Sequence, residues 1–69
     1  MEKTPVTSSN VASIGYDEDS STLEIEFKNG ATYQYFDVPE NVFTELRDAD
    51  SVGGYLAARI KGTYRYSKV

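Results

Sequence analysis

Residues Thr22 to Pro39 read TLEIEFKNGATYQYFDVP, and how this stretch folds back on itself decides the architecture. Leu23, Ile25 and Phe27 alternate with Glu24 and Glu26, the period-2 pattern of a strand with one covered and one wet face. Lys28-Asn29-Gly30 supplies a turn, and Thr32 to Val38 a return strand. Two registers fit an Asn-Gly turn. A two-residue loop at Asn29-Gly30 pairs Phe27 with Thr32, Ile25 with Gln34 and Leu23 with Phe36, which puts Tyr33 and Tyr35 on the glutamate face. A three-residue loop, with Gly30 in the left-handed region, pairs Phe27 with Ala31, Ile25 with Tyr33 and Leu23 with Tyr35. A one-residue slip exchanges the two faces of a strand, so the hydrophobic pattern selects the register. The three-residue loop gathers the apolar and aromatic side chains on one face and leaves Glu24, Glu26, Thr32 and Gln34 on the other. It is the predicted register, and it sends Tyr33 and Tyr35 inward.

Toward the N-terminus, Val11 to Asp17 reads as a first strand, with Ala12, Ile14 and Tyr16 on one face and Val11, Ser13 and Gly15 on the other. Asp17-Glu18-Asp19-Ser20-Ser21 is a polar turn. Residues 1–7 are polar with one proline and read as a flexible terminus. Toward the C-terminus, Val38-Pro39 ends the sheet and opens a helix, because proline lacks an N–H and suits the first helical position. Val42, Phe43, Leu46 and Ala49 follow at helical spacing. Asp50-Ser51 breaks this helix and caps a second, whose stripe is Val52, Tyr55, Leu56 and Ile60 and whose end is Gly62. Thr63 to Val69 is an edge strand or an extended tail. The expectation is one α+β domain over residues 8–69: a three-stranded antiparallel β-meander packed against two C-terminal helices, followed by an extended basic C-terminal segment.

With 69 residues the core is thin. Cysteine and histidine are both absent, which removes disulfides, thiolate metal sites, the commonest general base and the commonest metal ligand. No cofactor or metal is expected. No signal peptide, lipidation motif or membrane span is present, so the expected location is cytoplasmic, with no membrane partner. The net charge of −4 conceals an asymmetry. Residues 1–50 carry all eleven acids against Lys3, Lys28 and Arg47, while Arg59, Lys61, Arg65 and Lys68 follow without an acid. An acidic body with a basic, tyrosine-bearing end leaves a polyanionic partner open.

In order and spacing, these signals resemble the KTSC domain. That short family is named for its occurrence at the C-terminus of some lysyl-tRNA synthetases, and it is also found as stand-alone small bacterial proteins. The resemblance covers roughly residues 5 to 67. It rests on Ser8-Ser9, Ile14-Gly15-Tyr16-Asp17, Leu23 to Phe27, Gly30, Tyr33-Gln34-Tyr35 and Val38-Pro39, then Ser51-Val52-Gly53 with Tyr55, Ile60 and Tyr64-Arg65-Tyr66. Gly54 departs from it, standing where a larger polar residue is expected at the start of the second helix. The synthetase association implies RNA binding.

The strongest candidate site is Arg59, Lys61, Tyr64, Arg65, Tyr66 and Lys68, where basic side chains would neutralise phosphates and interleaved tyrosines stack on unpaired bases. Against it stands a solvated helix end whose cations suit the dipole. Ser51, Gly53 and Gly54 form a candidate anion-binding helix start, against an ordinary serine N-cap. Tyr33 and Tyr35 could be a stacking platform, but the register favours core. Asp17-Glu18-Asp19 is a solvated turn, since neither reading of it as a calcium loop ends in glutamate. Glu24 and Glu26 read as surface residues, and Ser8 and Ser9 have no base beside them. The expected class is a binding module and not an enzyme, with RNA the favoured partner. The alternative is another protein chain, docked on an exposed Phe36 and the edge strand.

Overall fold

The hairpin adopts the three-residue loop. In the computed structural model, which describes residues 1–69, Leu23 pairs with Tyr35, Ile25 with Tyr33 and Glu26 with Thr32. The Phe27 N–H donates to the Ala31 carbonyl at 2.8 Å, and the Gly30 N–H to the Phe27 carbonyl at 3.0 Å. Gly30 has φ +92°, a conformation that glycine adopts without steric cost. The Asn29 side-chain oxygen accepts the Ala31 N–H at 3.0 Å and closes the turn.

Five antiparallel strands form one sheet in chain order: β1 (Lys3–Pro5), β2 (Val11–Asp17), β3 (Thr22–Phe27), β4 (Thr32–Tyr35) and β5 (Tyr66–Lys68). The expected meander of three strands is therefore its centre, and a short strand is added at each edge. β1 falls within the residues read as a flexible terminus. It is held by pairing of Lys3 with Gly15 and Thr4 with Ile14, and by the Lys3 ammonium 2.7 Å from a Glu24 carboxylate oxygen. Such a strand has no alternation to read, and Pro5 is tolerated because the edge is unpaired. β5 resolves the choice between tail and strand: Tyr66 pairs with Tyr35 and Lys68 with Tyr33.

β2 differs from its expected facing. Val11 pairs with Phe27 and Ser13 with Glu26, so Ala12 is the extra residue of a bulge. The bulge turns Val11 onto the same face as Ile14, and both are fully buried.

α1 (Glu40–Asp48) starts after Pro39, which has the φ of −64° that proline imposes. It is fixed at its first turns by Phe43, whose ring stacks on Tyr16 with centroids 5.3 Å apart. The Tyr16 hydroxyl donates to the Val38 carbonyl. α2 (Val52–Tyr55) runs directly into a π-helical turn, Leu56–Ile60, closed by the Lys61 N–H on the Leu56 carbonyl at 2.9 Å. The widening has a packing reason. Val52, Leu56 and Ile60 are each four residues apart, and an α-helix would rotate this stripe by about 40° per step. The wider turn takes back that drift, and Leu56 and Ile60 are both buried. They join Leu46 over Ile14, Leu23 and Ile25 as the centre of the core.

The chain leaves the π turn through a tight turn. Lys61 has φ −62° and ψ 129°, Gly62 has φ +82°, and the Thr63 N–H reaches the Ile60 carbonyl at 3.1 Å. These are the angles of a type II turn, which needs glycine at its third position. Gly62 thus ends the helix as expected, through this turn.

The outer face of the sheet is wet. Glu24 accepts from Lys3 and, at 2.9 Å, from the Gln34 amide, while the Ser13 hydroxyl donates to Glu26 at 3.0 Å. The Lys3 hydrogen bond, with Gln34 second, holds the Glu24 carboxyl below the usual carboxylate range. The same contact raises Lys3. No helix is long and apolar enough to cross a membrane.

Candidate functional site

The sheet is wider than the helices that cover it. Along its inner face, exposure rises from fully buried Ile25 through half-buried Phe27 and Tyr33 to Tyr66, which is 61 % exposed. The uncovered strip is the floor of an open groove of about 960 Å³. That volume is at the upper end of the range found for ligand sites.

Four aromatic rings pave the floor. Phe27 meets Tyr33 edge-on at 5.6 Å, and Tyr66 lies 5.7 Å from both Tyr33 and Tyr35. The rings touch in series but are not coplanar: Phe27 is perpendicular to Tyr33, and Tyr66 is tilted 43° to Tyr33 and 39° to Tyr35. Tyr35 is the buried end of this floor, at 3 % exposure, and burial pushes its phenol above the usual range.

Three lysines stand around the floor, each placed by a different element. Lys28 comes from the hairpin turn, Lys61 from the type II turn and Lys68 from β5. The Lys61 ammonium sits 5.6 Å from the centre of the Phe27 ring, in cation–π range. None of the three is in an ion pair; the pairs of this protein are Lys3–Glu24, Arg47–Asp48 and Arg65–Asp37. No aspartate or glutamate lines the groove, although the chain carries eleven. The groove is a positive, aromatic concavity on an acidic protein.

The six residues of the predicted basic end divide. Lys61, Tyr66 and Lys68 converge on the groove. Tyr64 is half-buried and packs against the core. Arg65 points elsewhere: its guanidinium is 2.9 Å from Asp37 and stands over the Phe36 ring at 5.9 Å. Arg59 is exposed on the π turn and lines no part of the groove. Phe36, expected exposed, is half-buried beneath Arg65.

Ser51, Gly53 and Gly54 have the geometry of a serine N-cap. The Ser51 hydroxyl accepts the Gly54 N–H at 3.0 Å. Gly53 is a close approach: a Cβ there would lie 2.8 Å from the Asn10 side-chain oxygen.

Tyr33, which the register sends inward, is at once part of the inner face and part of the groove. Phe27, Lys28, Asn10 and Asn29 also line the groove and were not legible as site residues. The alternation of β3 places Phe27 on the same face as Tyr33, and that was the available signal. Nothing in the sequence tells how far the helices reach across that face.

The comparisons with known proteins bear on the fold and the family. A crystal structure of a KTSC domain protein from Yersinia pestis superposes with a TM-score of 0.93 at 42 % identity, over 99 % of this chain and 96 % of the other. An uncharacterised protein from Stutzerimonas stutzeri is 39 % identical across 100 % of this chain and 99 % of its own length. A lysine–tRNA ligase from Trichormus variabilis is 41 % identical over 54 residues, which are 78 % of this chain and 10 % of the ligase. Residues 7–69, from the loop beside the groove through β5 to Val69, match the KTSC domain, and the chain belongs to that family.

Proposed function

We propose that this domain is an accessory RNA-binding module, and that the groove takes unpaired nucleotides. The observation that carries this reading is the combination of an aromatic floor, three unpaired lysines and no carboxylate. Bases lie on the Tyr33 and Tyr66 rings, since every base has a π-face. Lys28, Lys61 and Lys68 neutralise the phosphates on either side. A groove open on one side suits a single strand, whose bases can be splayed onto a surface, better than an A-form duplex. The similarity to a segment of lysine–tRNA ligases, enzymes that act on a tRNA, supports the same reading. The role proposed is binding.

The test is a backbone-amide NMR titration with mixed tRNA at low salt, repeated at high salt. Expected are salt-sensitive shifts at Phe27 to Gly30, Tyr33, Lys61, Gly62 and Tyr66 to Val69. Silence at low salt, where such binding is strongest, overturns the proposal.

A further inference from the structure

We propose that Asn29 is a modification site: its side-chain amide is lost by cyclisation onto the Gly30 nitrogen, and a carboxylate appears on the rim of the groove. Of the three asparagines, Asn10, Asn29 and Asn41, only Asn29 is followed by glycine; the others precede Val11 and Val42. The following nitrogen must reach the side-chain carbonyl carbon, and a branched side chain on the residue that carries it crowds the approach. Local structure sharpens the difference. Val11 is fully buried and pairs with Phe27 in the sheet, and Val42 lies in α1 with its N–H on the Pro39 carbonyl at 3.0 Å. Lys28, Asn29 and Gly30 are exposed at the tip of the hairpin, and a Cβ built on Gly30 would meet nothing within 4 Å.

One hydrogen bond, from the Gly30 N–H to the Phe27 carbonyl at 3.0 Å, holds the reacting nitrogen. It closes an exposed turn, whose opening is a local event that leaves the sheet intact. Rotation about the Asn29 backbone then swings the nitrogen toward the side chain, and glycine accommodates the change of φ that follows. The Ala31 N–H donates to the Asn29 side-chain oxygen at 3.0 Å, which polarises the carbonyl under attack. Lys28, Lys61 and Lys68 make the rim positive, and a positive field favours the anion through which the reaction passes.

The Gly30 nitrogen gives its proton to hydroxide and bonds to the Asn29 side-chain carbonyl carbon. The bond from that carbon to the side-chain nitrogen breaks, and ammonia leaves with a proton from water. The product is a cyclic imide, and nothing is oxidised or reduced. Water then opens the ring in one of two ways. Breaking the new bond gives aspartate. Breaking the bond between the Gly30 nitrogen and the main-chain carbonyl carbon of residue 29 gives isoaspartate, whose main chain is one carbon longer. Either product sets a carboxylate beside Lys28 in a groove that has none. Isoaspartate also lengthens the three-residue loop that the Phe27 N–H and the Ala31 carbonyl close at 2.8 Å.

The test incubates the folded full chain in warm, mildly alkaline buffer and maps it over time by tryptic digestion and tandem mass spectrometry. Cleavage after Lys28 and Arg47 leaves Asn29 and Asn41 in one peptide, so Asn41 is an internal standard. Residue 29 should convert to aspartate and isoaspartate while Asn10 and Asn41 keep their amides. Asn29→Gln, whose longer side chain has to close a larger ring, should keep its amide over the same period. Equal rates at the three asparagines overturn the proposal. So does conversion of Asn29 in urea alone, because the native turn then protects it. The converted chain, separated by anion exchange, is next titrated with mixed tRNA beside the fresh chain. One phosphate contact fewer should weaken binding about eightfold at about 50 mM salt, counting from about 1 M, where the electrostatic contribution has vanished. Equal affinity of the two forms overturns the effect on the groove. If neither form binds, the RNA reading falls and the modification stands on the mass map.

Discussion

Replacing the groove lysines one at a time separates the site seen in three dimensions from the basic end seen in the sequence. Lys28, Lys61 and Lys68 line the groove, whereas Arg59 does not and Arg65 is paired with Asp37. For a single strand each neutralised phosphate contributes about 0.7 to the slope of log affinity against log salt, so three lysines give a slope of about −2. Raising salt from about 50 to about 200 mM should then weaken the wild type about twentyfold, Lys61→Gln about sevenfold and Lys61→Gln with Lys68→Gln about threefold. Arg59→Gln and Arg65→Gln should keep the wild-type slope. The assay is anisotropy of a labelled single-stranded RNA across a salt series. Folding is checked by thermal unfolding, because Lys61 also sits over the Phe27 ring, a contact worth about 0.5–1 kcal/mol. An unchanged slope in Lys61→Gln, or an equal loss in Arg59→Gln and Arg65→Gln, would refute the placement of phosphates around the groove.

Tyr66→Ala should lose about 1–3 kcal/mol of RNA affinity at little cost in stability, since the ring is largely exposed. Tyr35→Ala, by contrast, removes a buried ring and should destabilise the fold by about 3–5 kcal/mol in chemical denaturation, enough to threaten folding in so small a domain. Gly53→Ala places a methyl 2.8 Å from the Asn10 oxygen, the far end of an exposed side chain that can swing aside, so we expect stability to change by less than about 1 kcal/mol and amide shifts along Ser8 to Val11 in NMR spectra. Glu24 binds its proton less tightly in the folded than in the unfolded chain, first through Lys3 and then through Gln34. Its contribution is therefore full above the ordinary glutamate range and is lost as pH falls through the lowered folded value. Lys3→Gln should flatten this acid limb in urea midpoints measured against pH. The raised Lys3 works the other way, complete below the ordinary lysine range and lost only in strong alkali.

The hairpin was legible because two independent signals, alternation in Leu23 to Phe27 and the Asn29-Gly30 turn, admit one register that separates apolar from charged side chains. The helices were legible from the spacing of Val42, Phe43 and Leu46 and of Val52, Leu56 and Ile60. The same spacing hid the π turn, since three residues four apart fit an α-helix nearly as well. The bulge at Ala12 was hidden because alanine suits either face of a strand, so Val11 and Ile14 read as opposites until pairing with Phe27 brought them together. β1 could not be read: three residues with a proline carry no period, and what holds them is backbone pairing and one ion pair. The basic end was found in the sequence but not its division. Tyr66 and Lys68 lie two apart on one strand face, and Arg65, directly before Tyr66, must point away. That rule was available, and the open choice between strand and tail prevented its use.

β5 is separated from its partner β4 by both helices, whereas every other strand pairs with one that directly precedes or follows it in the chain. Loop-closure entropy makes such a docking the late step of folding. The strand is three residues long and each residue is exposed, so it is readily released from the native state. Without it the floor loses Tyr66 and the rim loses Lys68. The amide hydrogens that report on its attachment are those of Phe36, bonded to the Arg65 carbonyl at 2.9 Å, and Val69, bonded to the Thr32 carbonyl at 2.9 Å. A bound strand of RNA that touches Tyr66 and Lys68 must hold β5 in place, and occupancy of the groove is thereby written into the exchange rates of two backbone protons at the edge of the sheet.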